Sequence, residues 1–152
     1  MATEQVPAAR HWFYLLPQAS ANARLLYAAR LAEKAWQQGD RVCLSCGDEA
    51  QLEALDLQLW DLGPDSFLPR RALQNSGDAC PERLALLRGE PEPGHWDTVI
   101  VLAPDLPANA DQFKRLALIA SSDPAVLSQA RAHFRQLRTL GIEAQVHDMR
   151  QR

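Results

Sequence analysis

Arg131, Phe134 and Arg135 stand at helical spacing within the stretch PAVLSQARAHFRQLRTL, and Leu127 and Arg138 continue the same face. Residues three and four apart are surface neighbours on a helix, so two guanidiniums and a ring share one patch. Guanidiniums fork onto carboxylates or phosphates, and an aromatic ring offers an apolar wall. That combination suits an anionic, apolar-tipped peptide or a phosphate. The plain alternative is a solvated face with Phe134 half-buried.

Other residue pairs point to other chemistry. Cys43 and Cys46 have the C-x-x-C spacing of zinc and redox pairs. They fall inside a strand, where an odd separation sends the two sulfurs to opposite faces. No second ligand pair accompanies them, which favours simple packing. Asp48 and Glu49 form a carboxylate pair at a strand end, where α/β enzymes place catalysis; the same residues also suit the positive end of a helix. His11, His95, His133 and His147 are scattered and make no metal-ligand pattern. Neither a G-x-G-x-x-G nor a G-x-x-x-x-G-K-[ST] motif is present. Trp60, Leu57, Phe67 and Leu68 gather around a Gly63-Pro64 turn. They are either core residues or an apolar patch for a protein partner, where aromatic anchors are typical.

The elements that must carry these residues follow from hydrophobic period. His11–Leu16 is an apolar, aromatic run stopped by Pro17, hence a buried strand. Ser20 caps a helix expected over Ala21 to Gln38, closed by Gly39. Arg41–Cys46 is a second strand, and the strand, helix, strand order predicts a parallel pair with a right-handed crossover. A second helix is expected over Glu49 to Leu62, with Leu52, Leu55, Leu59 and Leu62 as its core stripe. From Arg70 to Trp96 repeated Gly and Pro break the pattern, and Arg83 to Leu87 reads as a short edge strand. Asp97–Leu102 is an unbroken apolar run, typical of a central parallel strand. Arg115–Ala120 is another strand. Asp123 caps the final helix with Pro124 at its first position. That helix runs to Leu140 with Val126, Ala130, His133, Leu137 and Leu140 as its core face, and a last strand follows over Ile142 to His147. The sum is one α/β domain over 1–152, residues 1 to 10 frayed. It is a three-layer, Rossmann-like arrangement: a mainly parallel sheet, helices on both faces and no nucleotide-binding loop.

Composition fits this. The chain of 152 residues is 47% hydrophobic and 23% charged with a net charge of -3. That is a globular composition, and the negative balance argues against general, sequence-blind nucleic-acid binding, which usually goes with excess positive charge, while leaving room for a local basic patch; no direct sequence-specific nucleic-acid contact is expected. No apolar run approaches the roughly 20 residues that span a bilayer, and the start lacks the apolar core of a secretory signal. Three cysteines, an odd and low count, fit a reducing compartment. The expected location is the cytoplasm.

Four groups of residues, in order, carry a resemblance. They are Phe13-Tyr14-Leu15-Leu16; Trp36-Gln37-Gln38-Gly39 with Val42 and Cys46-Gly47-Asp48-Glu49; Leu55-Asp56, Leu59-Trp60 and Ser66-Phe67-Leu68-Pro69; and Arg131 to Arg135 with Gly141. From about Trp12 to Met149 the chain resembles the chi subunits of the bacterial DNA polymerase III holoenzyme. The resemblance implies a Rossmann-like fold without nucleotide binding, without a cofactor and without catalysis of its own. It implies two partners: the psi subunit of the clamp loader, and the acidic, phenylalanine-ended tail of single-stranded DNA-binding protein. Trp60 and Phe67, with Leu57 and Leu68, match the psi-facing side. Arg131, Phe134 and Arg135 match the tail-binding positions, where the family pattern is arginine, tyrosine, lysine. Leu127 stands where family members can carry another basic residue, and Arg138 is a neighbour on that face. The alternative reading is a small α/β nucleotide-binding protein or enzyme using Asp48 and Glu49.

Overall fold

The computed structural model describes residues 10–63, 67–75 and 77–150. Of the stretch expected to be frayed, residues 1–9 lie outside them, as do Pro64 and Ser66, whereas Arg10 opens β1, paired with Arg115 of the sheet. In chain order the elements are β1 (Arg10–Leu15), α1 (Ala21–Gln37), β2 (Val42–Ser45), α2 (Glu49–Trp60), β3 (Arg71–Leu73), β4 (Leu84–Leu87), β5 (Thr98–Val101), β6 (Arg115–Ala120), α3 (Pro124–Thr139) and β7 (Ala144–Asp148). The strands form one sheet in the order β3-β4-β2-β5-β6-β1-β7. Every pairing among the described residues is parallel.

The helices start where the sequence offers caps. The Ala23 N–H donates to Ser20 Oγ at 3.2 Å, and the Gln51 N–H donates to Asp48 Oδ1 at 2.8 Å. Helices α1 and α2 cover one face of the sheet. Ala28, Ala29 and Ala32 of α1 are fully buried, and their small side chains let the helix lie close on Leu44, Ile100 and Ala117. Leu52, Leu55 and Leu59 of α2 join the same layer, as expected. Helix α3 covers the other face, with Ala130 and Leu137 against Val99, Leu116 and Leu118. Each fully buried Leu, Ile or Val side chain contributes about 1.5–3 kcal/mol.

Three expectations need correction. Strands β1 and β2 are parallel members of one sheet but not neighbours: β5 and β6 lie between them. The α1 crossover therefore passes two intervening strands, which a local strand-helix-strand pattern cannot register. The segment read as an edge strand at Arg83 to Leu87 is β4, an interior strand with all four residues buried. Its continuous Leu-Ala-Leu-Leu run is the mark of a strand covered on both faces. The edge is β3, three residues long, where Arg71 pairs with Glu82 at 2.8 Å. Finally, α2 ends at Trp60, two residues short of Leu62. Among the described residues no helix is long and apolar enough to cross a membrane.

Candidate functional site

Helix α3 is pinned at both ends. The Val126 N–H donates to Asp123 Oδ2 at 3.3 Å, and Pro124 opens the first turn. At the other end Gly141 adopts φ +81°, which costs a residue without Cβ little. Its N–H donates to Arg138 O at 3.0 Å, and that of Ile142 to Leu137 O at 2.9 Å. These two bonds make a Schellman motif, with Ile142 packed in the same core layer as Leu137. His133 faces the core, its Nε2 2.8 Å from Pro104 O. Leu140, expected on the core face, is exposed because it occupies the helix C-cap beyond the last packed turn.

This rigid helix borders a cavity of about 260 Å³ against the outer strands. Phe13 and Leu15 of β1 and Val146 of β7 form its strand side; Leu127, Arg131, Phe134 and Arg135 form its helix side. Phe134 is half-buried, its ring edge-on to Phe13 at 5.2 Å between centroids. Arg131 and Arg135 are exposed, and their guanidiniums make no hydrogen bond or ion pair with another described residue. Their guanidiniums are therefore free for an anion at the rim. The cavity exceeds the roughly 150 Å³ that accommodates a benzene ring, so one aromatic side chain fits within it. Arg138, on the same helix face, does not border the cavity. It stands in the last turn of α3, where a cation complements the helix dipole.

One cation at this site escaped the sequence reading. Arg150 borders the cavity from the strand side. Its Nε and Nη2 donate to Asp148 Oδ1 and Oδ2 at 2.9 and 2.7 Å. The Arg150 hydrogen bonds hold the Asp148 carboxyl down at about 2. The bidentate pair sets the guanidinium in one orientation beside the apolar slot. Val146 escaped too. Both reach the cavity only because β7 pairs in register with β1, Val146 opposite Phe13 and Asp148 opposite Leu15.

The second cluster is an exposed patch at the end of α2. Leu57, Trp60 and Phe67 are 63%, 60% and 64% exposed, whereas Leu68 is 2% exposed and belongs to the core. Trp60 and Phe67 lie 6.1 Å apart, and the Arg70 guanidinium sits 5.4 Å over the indole. Arg70 Nε donates to Asp56 Oδ1 at 2.6 Å and its Nη1 to Leu68 O at 2.9 Å. These bonds brace the loop against the helix. The patch and the cavity lie on opposite faces of the sheet, the first on the α2 side and the second on the α3 side.

The remaining candidates have structural partners. Asp48 caps α2, and Glu49 receives Arg88 Nη1 at 3.3 Å. Cys43 and Cys46 are buried in opposite core layers. Burial pushes both thiols up, Cys46 to about 12. Among the described residues no three His, Cys, Asp or Glu side chains are grouped to hold a metal ion. His11 is buried on β1; the Leu116 N–H donates to its Nδ1 at 3.3 Å, and its Nε2 faces Ala110 O at 3.3 Å.

The chain matches, over residues 9–145, the model of a family described as DNA polymerase III chi subunit, HolC. It is 41% identical over 135 residues to the DNA polymerase III subunit chi of Pseudomonas aeruginosa, covering 89% of this chain and 93% of the relative. It is 30% identical over 133 residues to the subunit of the same name from Haemophilus influenzae, covering 85% and 90% respectively.

Proposed function

The chain belongs to the DNA polymerase III chi subunit family, and from that premise we propose that it is a non-catalytic adaptor joining two replication proteins. One is the psi subunit of the clamp loader. The other is single-stranded DNA-binding protein, held by its acidic C-terminal tail. The adaptor works in the bacterial cytoplasm and needs no cofactor.

One observation supports the tail site: a ring-sized apolar cavity flanked by two guanidiniums that are unpaired among the described residues. A peptide ending in phenylalanine presents a ring, a terminal carboxylate and acidic side chains within a few residues. The ring enters between Phe13, Leu15 and Phe134, and Arg131 and Arg135 meet the carboxylates. The exposed cations make the binding salt-sensitive, because screening acts within about 10 Å at 0.1 M salt. Psi binds the Leu57, Trp60 and Phe67 patch, where two exposed aromatics offer anchors for an apolar partner surface. Placement on opposite faces of the sheet lets both partners bind at once.

A pull-down with single-stranded DNA-binding protein tests the first half. The intact partner is retained and a form lacking its last few residues is lost. Equal retention of both forms contradicts the tail site.

A further inference from the structure

The outer strands β1 and β7 have a second face, opposite the cavity. Helix α1 lies over β2, β5 and β6. Among the described residues this leaves the α1 side of β1 and β7 open, as a groove of about 620 Å³. Its floor is aromatic. Trp12 and Tyr14 alternate with Phe13, so they point away from the peptide cavity, and His147 lies beside Tyr14 in the β7 register. The three rings are nearly parallel: Trp12 to Tyr14 at 6.3 Å and 13°, Trp12 to His147 at 5.0 Å and 21°, Tyr14 to His147 at 5.3 Å and 12°. Tyr27 of α1 closes the inner side at 5.2 Å from Tyr14.

The wall is cationic. Arg30 and Lys34, one turn apart on α1, border the groove and are exposed, and their side chains have no hydrogen-bond or ion-pair partner among the described residues. A third guanidinium, Arg115, is already held by Asp40 at 2.9 Å. Glu33, beside them on α1, has an interaction of its own. Two cations whose side chains have no partner among the described residues, along one side of a stacked aromatic floor, match a ligand that carries phosphates on one edge and flat rings on the other. An acidic peptide fits less well, since the floor is made of aromatic rings and lacks the Leu15, Leu127 and Val146 side chains that line the opposite cavity. Sequence-tolerant stacking on aromatic side chains beside a basic wall is how single strands are held.

We propose that this groove binds a short run of single-stranded nucleic acid, bases against Trp12, Tyr14 and His147 and phosphates beside Arg30 and Lys34. The contact is weak and salt-dependent, because two phosphates at most are neutralised and the chain is acidic elsewhere. The proposal is independent of the peptide site, which uses the other face of the same two strands.

The test is fluorescence anisotropy of a labelled oligothymidylate of about 15 nucleotides, the scale of one single-strand site, titrated with the full chain at low salt. Three variants accompany it: Arg30→Glu/Lys34→Glu, His147→Ala and Arg131→Ala, each checked for its fold by circular dichroism. Binding is expected for the parent chain. The double reversal should lower affinity at least about tenfold and flatten the salt dependence by about 1.4 in log–log slope. His147→Ala should weaken binding by about fivefold or more through lost stacking, and Arg131→Ala should leave it unchanged. No binding by the parent chain, or equal binding by the parent chain and the double variant, overturns the proposal. So does loss with Arg131→Ala alone, which moves the strand to the α3 face. Displacement of the oligonucleotide from the groove by an acidic aromatic peptide even in Arg131→Ala would assign the groove to a peptide and overturn it as well.

Discussion

Phe13 and Phe134 meet edge to face, ring centroids 5.2 Å apart and planes at 70°. This contact ties α3 to the outer half of the sheet and forms the inner wall of the cavity that Arg131 and Arg135 overlook. Phe134→Ala should remove that wall and weaken an acidic, phenylalanine-ended peptide about tenfold. Because Phe134 is only half-buried, the stability loss should stay near 1–2 kcal/mol, below the full cost of a buried ring. Phe134→Tyr keeps the ring and should bind nearly as the parent does. Peptide titration and thermal unfolding of both variants check this; tight binding by Phe134→Ala would contradict it.

Arg150 should act as a third cation at the same cavity. Arg150→Ala is expected to lower peptide affinity about threefold to tenfold, with the loss shrinking at high salt. Its orientation depends on Asp148, whose carboxyl is depressed from 3.8 to about 2. A depressed carboxyl contributes its ion pair fully above its ordinary value, and the contribution fades only as pH falls towards 2. Peptide affinity of the parent chain should therefore show no step from this pair between pH 7 and pH 5. Asp148→Asn should lower affinity throughout that range by leaving the guanidinium unanchored. Identical affinities for parent and Arg150→Ala would remove Arg150 from the site.

Leu68 and Trp60 should separate packing from partner binding. Leu68 is buried, so Leu68→Ala should cost about 2–4 kcal/mol in chemical unfolding. Trp60 is largely exposed, and Trp60→Ala should change stability by less than about 1 kcal/mol yet release psi in copurification. Full retention of psi by Trp60→Ala and Phe67→Ala would remove the α2 patch as its site.

The buried cysteines should be inert. Burial holds the Cys43 and Cys46 thiols protonated, and the thiolate is the reactive form. Titration of the native chain with a chromogenic disulfide should find one slow thiol, the partly exposed Cys80. Denaturant should reveal all three. Rapid reaction of two thiols in the native state would reopen a redox role for the C-x-x-C pair.

Much of this arrangement is legible in the amino-acid sequence, for physical reasons. Caps at Ser20 and Asp123 are local, so those helix starts follow from a few adjacent residues. Strand β6 appears within the bounds its apolar run suggests, Arg115–Ala120. What escaped was non-local. Strand β3 is three residues with an arginine and little alternation, so it is defined only by its partner β4. The separation of β1 from β2 depends on where later strands insert. The exposed residues of α3 were visible as a basic, aromatic face, but the opposite side of the cavity was not. Val146 and Arg150 acquire a role only when β7 pairs with β1. Leu68 shows the same limit in reverse: adjacent to exposed Phe67, it turns inward, and no local pattern distinguishes the two.

Leu127 offers a gain-of-function test. It borders the cavity as an apolar residue on the same face as Arg131. Leu127→Lys adds a cation one turn away and should tighten the peptide about threefold at low salt, with the advantage fading as salt rises. A looser complex at every salt concentration would mean that the apolar contact outweighs the charge.

The central claim is that α3 and the outer strands form a clamp for an acidic peptide ending in phenylalanine. Titration of such a fluorescent peptide against the parent chain and Arg131→Ala tests it most directly. Saturable binding by the parent chain, weakened about tenfold by the loss of one charged contact, is the predicted result. Equal affinity for the two proteins would contradict it.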